Sequence, residues 1–425
     1  MANLGEKKML DVVIIGGSLA GLMNGIMLKR MGHNVRILEQ DPSSVRSSEA
    51  AGIRAGPQAA EYFKRFDLIE DSWSISCPGI QFIKSDSSVQ RFIDFPMVMT
   101  GWSTLYYRLR ANFDGFKSDY CPKPPSHSDM DGQAIYDAGK RVTNIVGDEK
   151  SISIVVENVT DGTKDTLTPD LVIAADGSAS RMRDIVCKVK RPYEGYVAWR
   201  GSVVESEVSE ETRKTCGDRF TVFKMKRNYI LVYIIPGSNG SLKPGERLLN
   251  FVWYYNVSEG TQEFEDIMTD KDGHRHRYTI PPGAMAPAAW ERQKAYARSV
   301  LPAPFVELIE KTNRPFISTV SEAQMPKASF FGGELLFVGD ALSQFRPHIA
   351  LSANQAAMNA LLLEKVILGE LTIEQWEKKV LHYGNEKRLL SRVVGTYAQF
   401  GGIKWLAAIL VFGWTVATQF ITSKF

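Results

Sequence analysis

Histidine and cysteine are scarce in this chain, six and four residues among 425. Cys77, Cys121, Cys187 and Cys216 contain no CxxC pair and no metal-like spacing with histidine. That pattern argues against a redox dithiol and against a cysteine–histidine metal site. Thiols scattered this thinly fit a reducing compartment. Charge of one sign is missing as well: the net charge of +3 is small and dispersed, and gives no basic face for nucleic acid. No apolar leader run precedes the first strand, so the expected location is cytoplasmic. The one long uncharged run lies at the other end, residues 405–423 between Lys404 and Lys424. It approaches the length that crosses a bilayer, but Gly413, Thr415, Thr418 and Gln419 dilute it. The expectation is a single helix that meets a membrane or another apolar surface, against the alternative of a helix docked on the body.

What is present is ordinary globular composition, 44% hydrophobic and 23% charged, enough for a large core. The most informative segment runs from Asp11 through Val-Val-Ile-Ile-Gly-Gly-Ser-Leu-Ala to Gly21, then through a helical run to Val35-Arg-Ile-Leu-Glu39. Its apolar start reads as a buried strand, residues 18–31 as a helix, and Gly32 as its C-cap. A turn that brings backbone N–H groups against a pyrophosphate needs residues without bulk, here Gly16 and Gly21. Glu39 stands 23 residues beyond Gly16, at the end of the second strand, where a carboxylate accepts from ribose hydroxyls. Ser18 occupies the place of the second glycine of the fingerprint. The whole β-α-β unit predicts dinucleotide binding.

Further along, helices are expected near 58–66 and 102–113, and a surface loop over 119–132. Strands are expected near 134–136, 151–157 and 171–175. Between 193 and 279 the texture becomes β-branched and aromatic, with Gly, Asn and Pro turns, which predicts an inserted antiparallel sheet. In its last strand Leu249, Phe251, Trp253 and Tyr255 share one face. Helix returns around 287–311, followed by a strand at 335–338 and a long helix over 353–368.

Two more motifs close buried strands. One is Asp170-Leu-Val-Ile-Ala-Ala-Asp176-Gly177-Ser-Ala-Ser180-Arg-Met-Arg183, the other Glu334-Leu-Leu-Phe-Val-Gly339-Asp340-Ala-Leu. Arg346-Pro347-His348 and Ser352-Ala353-Asn-Gln follow the second. With the N-terminal unit, and in this order, they make the chain resemble the FAD-dependent aromatic hydroxylases, the single-component flavin monooxygenases. The resemblance covers roughly residues 10–370. Tyr193-Glu-Gly-Tyr196-Val-Ala-Trp-Arg200-Gly and Asn250-Phe-Val-Trp-Tyr254 bring it near the 2,6-dihydroxypyridine hydroxylase-like branch and the FAD monooxygenases of fungal secondary metabolism. One departure is that Leu342-Ser343 follow Ala341, where many members carry Ala-His, so that histidine's role is not carried over.

The resemblance implies an α/β fold: a Rossmann-like FAD-binding domain, an inserted antiparallel β-sheet substrate domain and a C-terminal helical segment. Expected boundaries are 8–190 and 286–400 for the two parts of the FAD-binding domain, 191–285 for the sheet and 401–425 for the tail. It implies FAD as cofactor and NAD(P)H as co-substrate, the latter bound transiently because no second glycine fingerprint exists. Cofactor contacts are implied for Gly16, Gly17, Ser18, Leu19, Ala20, Gly21, Glu39, Gly52, Arg108, Asp176, Gly177, Ser180, Arg183, Gly339, Asp340 and Ala353. A helix beginning near Ser352 would aim its free N–H groups at the flavin. Candidate catalytic groups are Arg200, Tyr196 and His348, with Trp253 and Tyr255 as either substrate wall or core. The expected reaction is hydroxylation or epoxidation of an aromatic or polyketide-like compound. The alternative is an FAD-dependent reductase or dehydrogenase on the same fold.

Overall fold

A computed structural model describes residues 9–43, 45–46, 51–148 and 151–422, with side chains to residue 418. Residue 8 and the tail residues Ser423 and Lys424 lie outside this set. The expected first unit is present. Asp11–Ile15 and Asn34–Glu39 pair in parallel, joined by the helix Leu19–Arg30. Leu171–Ala174 pairs on the other side of the first strand, and Leu335–Phe337 beyond it, both in parallel. Ala134–Ala138 and the short Ser329–Phe330 complete a six-stranded sheet. Its central strands are buried on both faces, as a parallel sheet covered by helices must be, which explains their unbroken apolar runs. The Gly-rich turn, the Asp176 turn and the Gly339 turn all leave the carboxyl ends of adjacent parallel strands. Ligands bind at that edge in doubly wound folds.

The second sheet has nine strands and is mostly antiparallel. Tyr193–Val204, Leu248–Asn256, Asn228–Ile235 and Phe220–Met225 form its middle. Ile75–Ile83, Val89–Gly101 and Gly52–Ala55 extend it on one side, Phe316–Ser321 and Thr279–Ile280 on the other. The sheet domain is therefore discontinuous, and the expected boundary of 191–285 is too narrow. Ile75–Ile83 joins the strands within 52–101 to the rest of the sheet by pairing with Phe220–Met225, about 140 residues on, and such pairing leaves no local trace in sequence. The helical region expected at 287–311 is two helices, Pro287–Val300 and Ala303–Lys311, because Pro302 interrupts it. They pack on the sheet face that carries Trp199, Phe251 and Trp253. The opposite face, with Tyr196, Tyr229, Tyr233 and Tyr254, turns toward the Rossmann-like unit.

Ser352–Ile367 and the 27-residue Ile373–Gln399 close the body, and Thr372 with Gln375 forms a capping box at the start of the latter. The tail is one helix, Gly402–Thr422. Ile403, Leu406, Leu410 and Trp414 on it are exposed. Among the described residues no helix is long and apolar enough to cross a membrane.

Candidate active site

A trough runs from the ends of the parallel strands to the aromatic face of the large sheet. Its narrow arm, about 180 Å3, lies between Gly16, Glu39 and Asp176. Its wide arm, about 320 Å3, passes Leu19, Ala20, Gly52, Asp340 and Ala353 and ends at Arg200, Tyr254 and His348. Ser18, Ala175 and Gly177 line both.

The narrow arm is shaped by backbone. Gly16 has φ +104°, and a Cβ there would lie 2.5 Å from the Ala175 carbonyl oxygen, so no other residue fits. Gly21 would place its Cβ 2.0 Å from the Gly16 oxygen. Gly17 donates its N–H to Glu39 Oε2 at 2.9 Å, and Asp41 N–H donates to Oε1 at 2.9 Å. Arg46 Nη1 also reaches Glu39, at 3.2 Å. Ser18 has the backbone of an N-cap but its side chain makes no cap bond; Trp102 Nε1 donates to its hydroxyl at 3.3 Å instead. The N–H groups at the start of Leu19–Arg30 thus keep their donors for an anion.

Asp176 is spent differently from a simple ligand. Its Oδ1 accepts from Ser180 Oγ at 2.6 Å and its Oδ2 from Met182 N–H at 3.0 Å, and burial raises its pKa. Ser180 caps the next helix by accepting from Arg183 N–H. Arg183 lines neither arm. Its Nη1 donates to the Asp340 carbonyl at 3.2 Å, which ties the Asp-Gly turn to the Gly-Asp turn. Gly339 has φ +59°; its N–H donates to Asn359 Oδ1 at 2.9 Å and its carbonyl accepts from Gln355 Nε2 at 2.9 Å. Asp340 Oδ1 is buried and has no partner. Burial raises its pKa to about 6, against the Ser352 side chain and the charges of Arg191 and Arg183.

These features fit FAD. The cradle that a Cβ would fill could receive the pyrophosphate, Glu39 would meet the ribose, and the unpartnered Asp340 oxygen could accept from a hydroxyl such as one of the ribityl chain. Ser352 and Ala353, the first turn of an uncapped helix, line the wide arm beside it. Arg108 is a correction. It is buried in an ion pair with Asp67 and donates to the Ile69 carbonyl, so it braces the 67–69 loop away from the trough.

At the far end of the wide arm three tyrosines surround one histidine, two by their hydroxyls and one by its ring. Tyr196 hydroxyl lies 2.6 Å from His348 Nε2, and Tyr229 hydroxyl lies 2.6 Å from Nδ1. The Tyr254 ring is centred 4.5 Å from the imidazole. His348 is half-buried, with its ring on the cavity wall. Burial, with Arg346 and Arg200 nearby, lowers its pKa to about 3, so it is neutral. Burial pushes the phenols of Tyr196, Tyr229 and Tyr254 upward, so they stay protonated. Arg200 lines the same end and its Nε is buried without a partner. Tyr196 itself does not line the cavity and meets it only through its contact with His348.

Trp253 and Tyr255 turn the other way. Trp253 packs 5.6 Å from Tyr296 behind the sheet and donates to Asn228 Oδ1 at 3.1 Å. The substrate-side wall is instead Val252 and Tyr254, one residue out of phase, with Tyr233 and Phe220 stacked 5.2 Å apart. A period-2 strand with aromatics on both faces gives no sign of which face is which. Sequence reasoning does not single out Tyr229, Tyr233, Trp102 or Arg46, and it names Tyr254 only as the end of a branch motif.

Glycine turn, ribose acid and two strand-end aspartates in one trough define a flavin-binding oxidoreductase. The chain matches the FAD binding domain family over residues 9–57 and the FAD binding domain-like family over residues 193–322. It is 25% identical over 397 residues to 2,6-dihydroxypyridine 3-monooxygenase of Paenarthrobacter nicotinovorans, with 92% of each chain covered. The solved structure of 2,6-dihydroxypyridine-3-hydroxylase from Arthrobacter nicotinovorans superposes with a TM-score of 0.78 at 25% identity, covering 92% of this chain and 93% of that one. The FAD-dependent monooxygenase olcE of Penicillium canescens is 27% identical over 271 residues, 55% of this chain and 49% of that protein. The chain is similar to the FAD-dependent aromatic hydroxylases, and these relatives mark it as a flavoprotein monooxygenase.

Proposed function

We propose that the protein hydroxylates a small aromatic or heteroaromatic compound that already carries a hydroxyl group, using NAD(P)H and dioxygen. The single observation that carries this reading is the junction of two chemistries in one trough: an FAD-shaped arm, and a flat aromatic end where Arg200, Tyr254 and His348 converge. When bound, FAD supplies the oxygen transfer. The chain's own residues bind and orient the ring. Tyr254, Tyr233 and Phe220 offer flat faces, and the unpartnered Arg200 nitrogen stabilises negative charge on a substrate oxygen.

His348 orients the site without becoming charged. One ring nitrogen accepts from a phenol and the other donates to one, which holds the neutral imidazole at the cavity wall between the Tyr229 and Tyr196 hydroxyls. Beyond Tyr196 lies Arg346, paired with Glu194 at 2.6 Å and Glu322 at 3.0 Å. Its neighbour Arg388 shares Glu322. Ser391 holds the Arg346 carbonyl, which fixes the Arg-Pro-His turn against the Ile373–Gln399 helix.

A panel of hydroxylated pyridines and phenols tests this reading. At least one should accelerate both NAD(P)H oxidation and oxygen uptake tenfold or more over the substrate-free rate. A panel that shifts neither rate, on protein loaded with FAD, contradicts it. Epoxidation and polyketide-like substrates belong to the same reading only if such a compound gives the same response. The four free cysteines support a reducing compartment for the body. The exposed Ile403, Leu406, Leu410 and Trp414 of the last helix, with Lys404 beside Phe400 at its start, support contact with a lipid surface from one side.

A further inference from the structure

A second cavity, about 410 Å3, opens where Tyr193–Val204 and Phe316–Ser321 meet in the large sheet and shares no residue with the trough. Its chemistry is basic and aromatic. Arg191 lies 3.9 Å over the Tyr278 ring, and its Nε and Nη1 are buried without a partner. Arg277 lies 5.0 Å from the same ring. Arg275 is already paired with Glu265, whereas Tyr193 and Phe264 stack 4.9 Å apart as an apolar wall. The cavity adjoins the catalytic trough, since the Arg191 charge is felt by the Asp340 carboxylate.

We propose that this cavity binds the adenosine diphosphate half of the hydride donor. Arg191 and Arg277 take the pyrophosphate, and the Tyr193–Phe264 wall takes the adenine. A buried guanidinium with two unused donors is costly unless an anion arrives, and a planar fork suits a phosphate group. The charge count names the donor further. Two cations lack a carboxylate of their own and match the two charges of a pyrophosphate, and the exposed Glu259 adds one negative charge at the cavity wall. A 2′-phosphate finds no third unpaired cation among the lining residues, so the donor is NADH rather than NADPH. This inference rests on the reading that the trough holds a flavin reduced by a diffusing dinucleotide.

The test uses the full-length, FAD-loaded protein. ADP-ribose and its 2′-phosphorylated form are titrated calorimetrically, and flavin bleaching by NADH and NADPH is followed in stopped flow. Arg191→Ala and Arg277→Ala should each weaken ADP-ribose tenfold or more. They should raise the half-saturating NADH concentration similarly, with FAD content and aromatic-substrate affinity unchanged. ADP-ribose should bind at least tenfold more tightly than its 2′-phosphorylated form. Arg277 is exposed, so its variant keeps the test valid should Arg191→Ala fold poorly. If wild type binds ADP-ribose and bleaches with NADH but both variants match it, the cavity assignment is overturned and the monooxygenase reading stands. If wild type is bleached by dithionite but by neither dinucleotide, both fall. Equal or tighter binding of the phosphorylated form overturns the choice of NADH.

Discussion

Gly395→Ala adds one methyl group and asks whether His348 is held in place. Gly395 lies within the Ile373–Gln399 helix, and a Cβ there would stand 2.4 Å from both Cδ2 and Nε2 of His348 and 3.2 Å from the Tyr196 hydroxyl. In an unobstructed helix the change would stabilise by about 1 kcal/mol, because alanine is the better helix former. Here the methyl meets a ring fixed at both nitrogens by buried phenols. Overpacking costs about 1–3 kcal/mol. Displacing the ring also weakens two hydrogen bonds worth about 0.5–1.5 kcal/mol each. The net expectation is a loss of about 1–4 kcal/mol in denaturant unfolding, opposite in sign to the helix-propensity effect. Because Gly395 lies outside the trough lining, FAD content should be unchanged while product formation falls tenfold or more, with NADH oxidation less affected. A variant more stable than wild type, with undiminished product yield, would show that the imidazole is free to move and refute the positioning role of His348.

Asp340→Ala removes the orphaned acceptor and should weaken FAD by about 1.5–3 kcal/mol, the range of charge-assisted hydrogen bonds, read as FAD lost on gel filtration. Stability should fall on acidification. A histidine whose folded pKa of about 3 lies below its ordinary 6.5 contributes stability that is fully present above pH 6.5 and lost as pH drops toward 3, at about 1.4 kcal/mol per unit. In His348→Gln that component of the slope should vanish, and an unchanged slope in urea titrations would contradict the burial argument. Removing residues 403–425 should leave FAD content and turnover intact while abolishing co-sedimentation with lipid vesicles; loss of FAD would instead make the helix structural.

The flavin half of the site was legible because its constraints are local. Gly16, Gly21 and Glu39 answer to one turn and one strand, and Asp176, Gly177, Gly339 and Asp340 each follow an apolar strand by two or three residues. The 352–367 helix was legible for the same reason. The substrate half was not, because it is assembled across distance. Tyr196, Tyr229 and His348 meet from three separate segments, and the space they occupy depends on Gly395, a glycine inside a helix with no local reason to be there. Parity misdirected attention in Leu248–Asn256, where Trp253 faces the helices and its neighbour Tyr254 faces the cavity. Arg108 had the right character for a phosphate but a nearer partner, Asp67, in a loop whose position only the tertiary fold sets.

The central claim is that this trough transfers an oxygen atom from dioxygen to an aromatic ring. Incubating the FAD-loaded protein with NADH, an accelerating hydroxylated aromatic and isotopically labelled dioxygen tests it directly by mass spectrometry. The account predicts one labelled oxygen atom per product molecule and none from labelled water. Product that forms without the label, or forms anaerobically with an artificial electron acceptor, would contradict it and establish the dehydrogenase alternative.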